Sequence, residues 1–515
     1  MSSADAPQPA RPDVPTGRAM RHLATIALTC AALGATTYLV PGLDRFRPWV
    51  PGDAPPLARL FENWGDVRVP TFAGAGSSYH APGRPSEQLE EELGESVARN
   101  LGSQGQPAAE PAPATRSAES TPPAVQIDPG AYAGISVKID DPGHEGMESF
   151  YRALLRTAKE RKGALTRVAH YGDSSIATDL ITHTTRRRLQ GRFGDGGHGF
   201  LLIARGHMPW GHRDVAHHAN DEWSLREIVR SSLRSGLYGY GGVQYRGRPG
   251  AWAKFGTDSE APVGGAVSRY ELYYQKGKRG GTVRLSVDGE EVRKVKTRAK
   301  RTEDAYERID VPTGEHELEL RVMAGVPALY GVVMEREGPG VVYDSLGLVG
   351  ARARRMLNYD QDHIAEQLRH RGVDLLVLGF GGNEADDPPG KMKDYDEEFT
   401  EVIRHMRAGR EDLACLVFSP LDQARRGERG GVRTIPNVPK IVQAQKKAAR
   451  REGCAFYNTF EAMGGEGAME RWYRSQPRLA LSDFRHATPA GYEVIGNMFY
   501  KALLEGFADW LRSRS

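Results

Sequence analysis

Leu165-Thr166-Arg167-Val168-Ala169-His170-Tyr171-Gly172-Asp173-Ser174 runs from a strand into a turn and leaves a serine at the head of the next helix. The stretch Leu165 to Tyr171 reads as a buried strand, and Gly172 permits the tight turn after it. A serine placed there is exposed, and the following helix directs backbone N–H groups toward its oxygen. Taken alone, Gly172-Asp173-Ser174 reads equally as an ordinary helix cap. Its meaning depends on what the rest of the chain sets beside it.

Upstream, residues 143–162 carry Met147, Phe150, Leu154, Leu155 and Ala158 on one helical face. Downstream, Ile176 to Arg192 reads as a helix ended by Phe193-Gly194-Asp195-Gly196-Gly197. After Val341 the alternation resumes. Val373 to Phe380 is a near-continuous apolar run, as a parallel strand buried on both faces requires. A helix at 394–409, a strand from Ala414 to Ser419, a helix at 437–452, a strand from Ala455 to Asn458 and a last helix from Ala490 to Trp510 follow.

Between about 205 and 340 the period changes to two. Tyr270, Leu272 and Tyr274 alternate, as do Val283, Leu285 and Val287, and again Leu318, Leu320 and Val322; Asp288-Gly289 offers a hairpin turn. An α/β domain is therefore interrupted by an all-β insertion, read as a sandwich. Trp210, Trp223, Tyr238, Tyr240, Tyr245 and Trp252 cluster early in that insertion, placed either to stack on sugar rings or to pack internally.

The N-terminal quarter is of another kind. Leu23 to Leu43 is about 21 uncharged residues following Arg11, Arg18 and Arg21, which reads as an uncleaved inner-membrane anchor with the chain after Asp44 outside the cytoplasm. A cleaved signal peptide, releasing the protein to the periplasm, is the competing reading. Residues 44–130 are rich in Pro, Gly, Ala and Ser and read as a flexible tether. The expected segments are thus 1–22 cytoplasmic, 23–43 anchor, 44–130 linker, 131–205 and 341–515 the α/β domain, and 206–340 the insertion.

The net charge of +3 over 515 residues provides no bulk basic footprint for nucleic acid. The run Arg186-Arg187-Arg188 reads as a solvated helix face. Cys30, Cys415 and Cys454 form no metal spacing; Cys415 and Cys454 are expected as buried free thiols, a single bridge between them being the alternative. His217-His218 is read as a loop pair. No G-x-S-x-G, P-loop or H-E-x-x-H motif is present.

Two further blocks lie in loops after predicted strands, where open α/β sheets place their sites. Gly381-Gly382-Asn383 offers an amide donor. Asp483-Phe484-Arg485-His486 precedes a Pro489-led helix, and its three-residue offset lets the carboxylate reach the near side of the imidazole. Serine first, amide in the middle and Asp-x-x-His last is the order of the SGNH (GDSL-like) hydrolases, which the chain resembles over roughly 165–205 and 340–510.

The resemblance implies a flavodoxin-like three-layer α/β domain with Ser174 as nucleophile and Asp483 and His486 completing a triad. It further implies an oxyanion hole from the Ser174 N–H, the Gly350 N–H and the Asn383 side chain, with Gly347 as the rival glycine in Ser345-Leu346-Gly347-Leu348-Val349-Gly350. No metal or cofactor is called for. The block around His170 to Ser174, the block Phe193 to Gly197 and the β insertion look most like bacterial peptidoglycan O-acetylesterases, whose insertion resembles a carbohydrate-binding module. Glu384 departs from the family by standing where many members have Asp. The implied activity is removal of O-acetyl groups from an envelope glycan, with peptidoglycan the expected substrate. The alternatives are an O-acetyltransferase using the same triad and a non-catalytic glycan-binding protein.

Overall fold

The computed structural model describes residues 125–204, 211–230, 233–427 and 430–514. The expected anchor at 23–43 and most of the expected linker lie outside the described residues, as does Trp210. Among the described residues no helix is long and apolar enough to cross a membrane.

The strand leading to Ser174, β1 (Leu165–Gly172), lies inside a parallel sheet of five strands. It is flanked by β2 (Gly340–Gly347) and β3 (Leu375–Gly379), with β4 (Ala414–Phe418) and β5 (Ala455–Tyr457) beyond β3. The order 2-1-3-4-5 is that of a flavodoxin-like sheet, with its switch point between β1 and β3. Both faces are covered, which is why the strands read as unbroken apolar runs.

Alternate strand residues feed two apolar layers. Val168, Tyr343, Val377, Leu416 and Tyr457 pack toward α1 (Glu148–Ala158), α3 (Leu180–Phe193) and α7 (Pro489–Arg512). Ala169, Leu376, Leu378, Val417 and Phe456 pack toward α4 (Gln361–Arg371), α5 (Tyr395–Arg407) and α6 (Asn437–Arg451). A short helix, α2 (Ser174–Ala177), stands at the mouth of β1. Val125 and Ile127 already pack on the α1–α7 side, so ordered packing begins within the stretch expected to be tether.

The insertion consists of two antiparallel sheets. One runs 303–314, 267–276, 328–335, 243–247 and 223–227; the other runs 215–219, 252–257, 317–324, 282–287 and 290–296. Asp288 and Gly289 both take positive φ in the turn joining the last pair, as the sequence suggests. Gly199–Leu202 pairs with 328–335, so the first sheet recruits a strand from before residue 206. Tyr238, Tyr240 and Tyr245 are buried, and Trp223 and Trp252 are half-buried. The three tyrosines are core residues, not sugar-stacking rings. His217 stacks on Phe255, with ring centroids 4.9 Å apart, and its Nε2 lies 3.1 Å from the Ile203 carbonyl.

His217 and His218, read as a loop pair, lie on the strand 215–219, and two more expectations fail because tertiary pairing overrides local pattern. The helix read from Ile176 to Arg192 is broken at Asp179, which takes φ of 58°. Its buried carboxylate receives Arg186 through two bonds of 3.0 and 2.9 Å, so the arginine run is no solvated face. Arg187 likewise forks onto Asp214, and Arg188 Nε donates to Asn497. The second failure is the pair of free thiols. β4 and β5 are neighbours, their register sets Cys415 beside Cys454 with Cα atoms 4.7 Å apart, and the two form a disulfide.

That bridge closes a 39-residue separation, for which chain entropy gives about 4 kcal/mol of stabilisation. Changing both Cys415 and Cys454 to Ala is expected to lower urea-unfolding stability by about 3 kcal/mol or more. Dithiothreitol should lower the melting temperature of the wild-type protein and leave the variant unmoved.

Candidate active site

Ser174 is the first residue of α2, set there by a turn that Asp173 caps. The Asp173 Oδ1 accepts from Ser175 N at 3.0 Å and Ser175 Oγ at 2.6 Å, and Oδ2 accepts from Gly382 N at 3.3 Å. Asp173 is committed to the turn and to the loop after β3. Burial pushes its carboxyl above the usual range despite these bonds.

Across the cleft, Ser174 Oγ lies 3.0 Å from His486 Nε2, although 312 positions separate them. His486 Nδ1 lies 2.7 Å from Asp483 Oδ2, while Asp483 Oδ1 accepts from the Arg485 and His486 N–H groups at 2.9 and 3.1 Å. One carboxylate therefore fixes both the backbone of the loop and the ring it carries. Partial burial alone would raise the Asp483 carboxyl; the bonds from His486 and Arg485 outweigh it and hold the carboxyl below its ordinary value. The His486 side chain stays 40% exposed, so the hydroxyl–imidazole pair is open to a substrate. Hydroxyl, imidazole and carboxylate in this order can draw a proton from the serine.

The two candidate glycines are separated by geometry. Gly347 ends β2 against α2, where a Cβ would stand 2.1 Å from Ala177 N. Close packing accounts for it. Gly350 sits in a turn at φ of 77° with open space where a Cβ would be. Neither the Gly350 N–H nor the Ser174 N–H donates to any described residue. Asn383 reaches the same turn: its Nδ2 donates to the Ala351 carbonyl at 2.8 Å, committing one of the two amide hydrogens.

Residues that sequence reasoning missed hold these parts in place. Arg352 pairs with Asp387 at 2.6 Å, and Glu384 Oε1 accepts from Ala353 N at 2.8 Å. Residues 351, 352 and 353 are thus each gripped by the segment 383–387. Arg485 forks onto Asp386 at 2.7 and 2.8 Å and reaches Gln423 at 3.3 Å, tying the histidine loop to that segment. Spacing gives no hint of these pairings. The departure at Glu384 is the one signal that marked its block.

Beneath the serine turn, Asp173, Ser175, Gly382, Ser419, Pro420 and Gln423 line a cavity of about 10 Å³ that neither Ser174 nor His486 borders. Among the described residues no group of three His, Cys, Asp or Glu side chains converges as a metal would require.

With this geometry stand the likenesses to known proteins. Residues 322–494 match the GDSL-like Lipase/Acylhydrolase family, a span holding Asn383, Asp483 and His486 but beginning after Ser174. That match assigns residues 322–494 to a GDSL-like lipase/acylhydrolase, a class of ester-cleaving hydrolase. The chain's fold is that of a solved structure titled "Peptidoglycan O-acetylesterase in action, 5 min", at TM-score 0.60 and 21% identity, covering 73% of this chain and 99% of that one. A salicylyl-acyltransferase from a tetracycline biosynthetic pathway matches at TM-score 0.25 and 15% identity, over 56% of this chain and 94% of that one. A family 2 carbohydrate esterase with a carbohydrate-binding domain from Corynascus thermopiles (Myceliophthora fergusii) matches at TM-score 0.26 and 12% identity, over 55% and 99%. No curated protein matches the chain.

Glu384 titrates in an unusual range. It is buried, and burial raises its carboxyl to about 7, with the Ala353 N–H and Arg352 opposing and the Asp173 charge adding to the rise. A carboxyl raised by folding lends stability below its ordinary range and loses it as pH climbs through about 7. Glu384→Gln, which keeps the acceptor for Ala353 N, should therefore match the wild type in urea unfolding at pH 5. At pH 8.5 it should exceed the wild type by on the order of 2 kcal/mol. A gap that does not widen with pH would rule this out.

Proposed function

We propose that the protein is a serine esterase that removes O-acetyl groups from a cell-envelope glycan, with peptidoglycan as the substrate. The observation that carries the reading is the contact of Ser174 Oγ with His486 Nε2 at 3.0 Å, backed by Asp483 at 2.7 Å. Its fold likeness to the peptidoglycan O-acetylesterase structure supports the substrate.

In this reading Ser174 Oγ bonds to the acetyl carbonyl carbon as its proton passes to His486 Nε2. Asp483 stabilises the imidazolium. The negative charge on the carbonyl oxygen is met by the Ser174 and Gly350 N–H groups and by the Asn383 amide. The imidazolium returns the proton to the sugar oxygen as the ester bond breaks. Water then gives a proton to His486 and its oxygen to the acyl carbon, releasing acetate and restoring Ser174. The disulfide fits an oxidising compartment. With residues 23–43 as inner-membrane anchor, the catalytic domain works in the periplasm.

Ser174→Ala is expected to abolish 4-nitrophenyl acetate turnover and acetate release from O-acetylated peptidoglycan while leaving the melting temperature in place. Equal rates in the two proteins would remove the triad. Asn383→Ala should lower kcat by about 10²–10³-fold with little change in KM, the signature of a lost oxyanion donor.

A further inference from the structure

A two-stranded hairpin, Ala424–Arg426 paired with Val432–Thr434, stands against the histidine loop: Ala424 N donates to the Phe484 carbonyl at 2.8 Å. Its register sets Arg425 directly opposite Arg433. Like charges at a cross-strand pair repel, and the side chains share one face. The other face packs Val432 against the core. Beside Val432, Arg426 lies over the buried Phe484 ring at 5.2 Å, Phe484 meets Tyr473 at 4.9 Å, and Arg478 lies over Tyr473 at 4.3 Å. Ring faces thus hold two guanidinium groups in place.

Arg425, Arg426, Arg433 and Arg478 are all exposed, and none has a carboxylate partner among the described residues. The nearby acids are already taken, Asp386 by Arg485 and Asp387 by Arg352. Asp386 feels the charge of Arg425 as well, so the hairpin lies within electrostatic reach of the segment that Arg485 ties to the histidine loop.

We propose that the hairpin arginines Arg425 and Arg433, with Arg426 and Arg478 alongside, form a carboxylate-binding wall that selects acidic acetylated glycans over neutral ones. The proposal rests on the esterase reading above and adds to it the recognition of the polymer's own charge. Guanidinium forks match carboxylates two bonds at a time, and a bound carboxylate would relieve the Arg425–Arg433 repulsion.

The test compares the full-length protein with Arg425→Gln/Arg433→Gln on 4-nitrophenyl acetate, O-acetylated peptidoglycan, an O-acetylated polyuronate and a neutral O-acetylated glucomannan. Turnover of nitrophenyl acetate and glucomannan should be unchanged. On one or both acidic polymers kcat/KM should fall about tenfold or more at low salt, and the wild-type advantage should vanish at high salt. A loss confined to peptidoglycan assigns the carboxylates to that polymer; a loss on polyuronate too extends them to sugar acids. Equal kcat/KM for the two proteins on both acidic polymers, or a salt-indifferent wild-type rate, overturns the wall. If neither protein releases acetate from any polymer, the glycan-esterase reading falls by itself. Retention on immobilised polyuronate and peptidoglycan then decides: salt-eluted binding lost in the variant upholds the wall, and equal retention overturns it.

Discussion

Arg371 at the end of α4 is the charge around which the two halves of the molecule are joined. Its guanidinium forks onto Asp344 of β2 at 2.8 and 3.0 Å and also reaches Glu335, the last residue of the insertion's 328–335 strand. Glu335 takes Arg167 of β1 through two bonds of 2.7 and 2.9 Å, and Asp344 accepts from the Tyr240 hydroxyl and Phe200 N. Arg371, Asp344 and Glu335 are buried. Such a cluster is favourable only when complete, because removing one member strands a charge out of water at a cost of about 3–5 kcal/mol. The insertion is therefore fastened to the very strands, β1 and β2, whose ends present Ser174 and the Gly350 turn.

A second convergence works at the other end of the same strands. The loop after β3 holds three segments: Gly382 the serine turn, Asn383, Glu384 and Asp387 the stretch 351–353 beside Gly350, and Asp386 the histidine loop. Asn437 of α6 in turn donates to the carbonyls of Ala385 and Asp387. The loop is a clamp more than a donor. The clamp leaves the Gly350 turn and the histidine loop little freedom to shift.

The parallel strands were legible because burial on both faces leaves unbroken apolar runs, and the insertion because its period changes to two. Ser174, Asn383, Asp483 and His486 stood out through local blocks at strand ends, and the structure brings Ser174, His486 and Asp483 into one chain of contacts. What stayed hidden depends on partners far away in sequence. Nothing in Arg186-Arg187-Arg188 announces Asp179 and Asp214, and nothing in Arg485 announces Asp386. The Cys415–Cys454 bridge required knowing that β4 and β5 are adjacent, a fact of topology and not of either segment. The buried tyrosines of the insertion were ambiguous for the same reason.

The 312-residue gap between the serine and its imidazole also sets an order of events during synthesis. A growing chain displays Ser174 early, then an entire β insertion, then four more strands of the sheet, before the histidine loop and α7 emerge. Until that final stretch docks, the Ser174 hydroxyl has no imidazole beside it. A nascent or prematurely ended polypeptide therefore lacks the Ser174–His486 contact, which arrives with the last elements to fold.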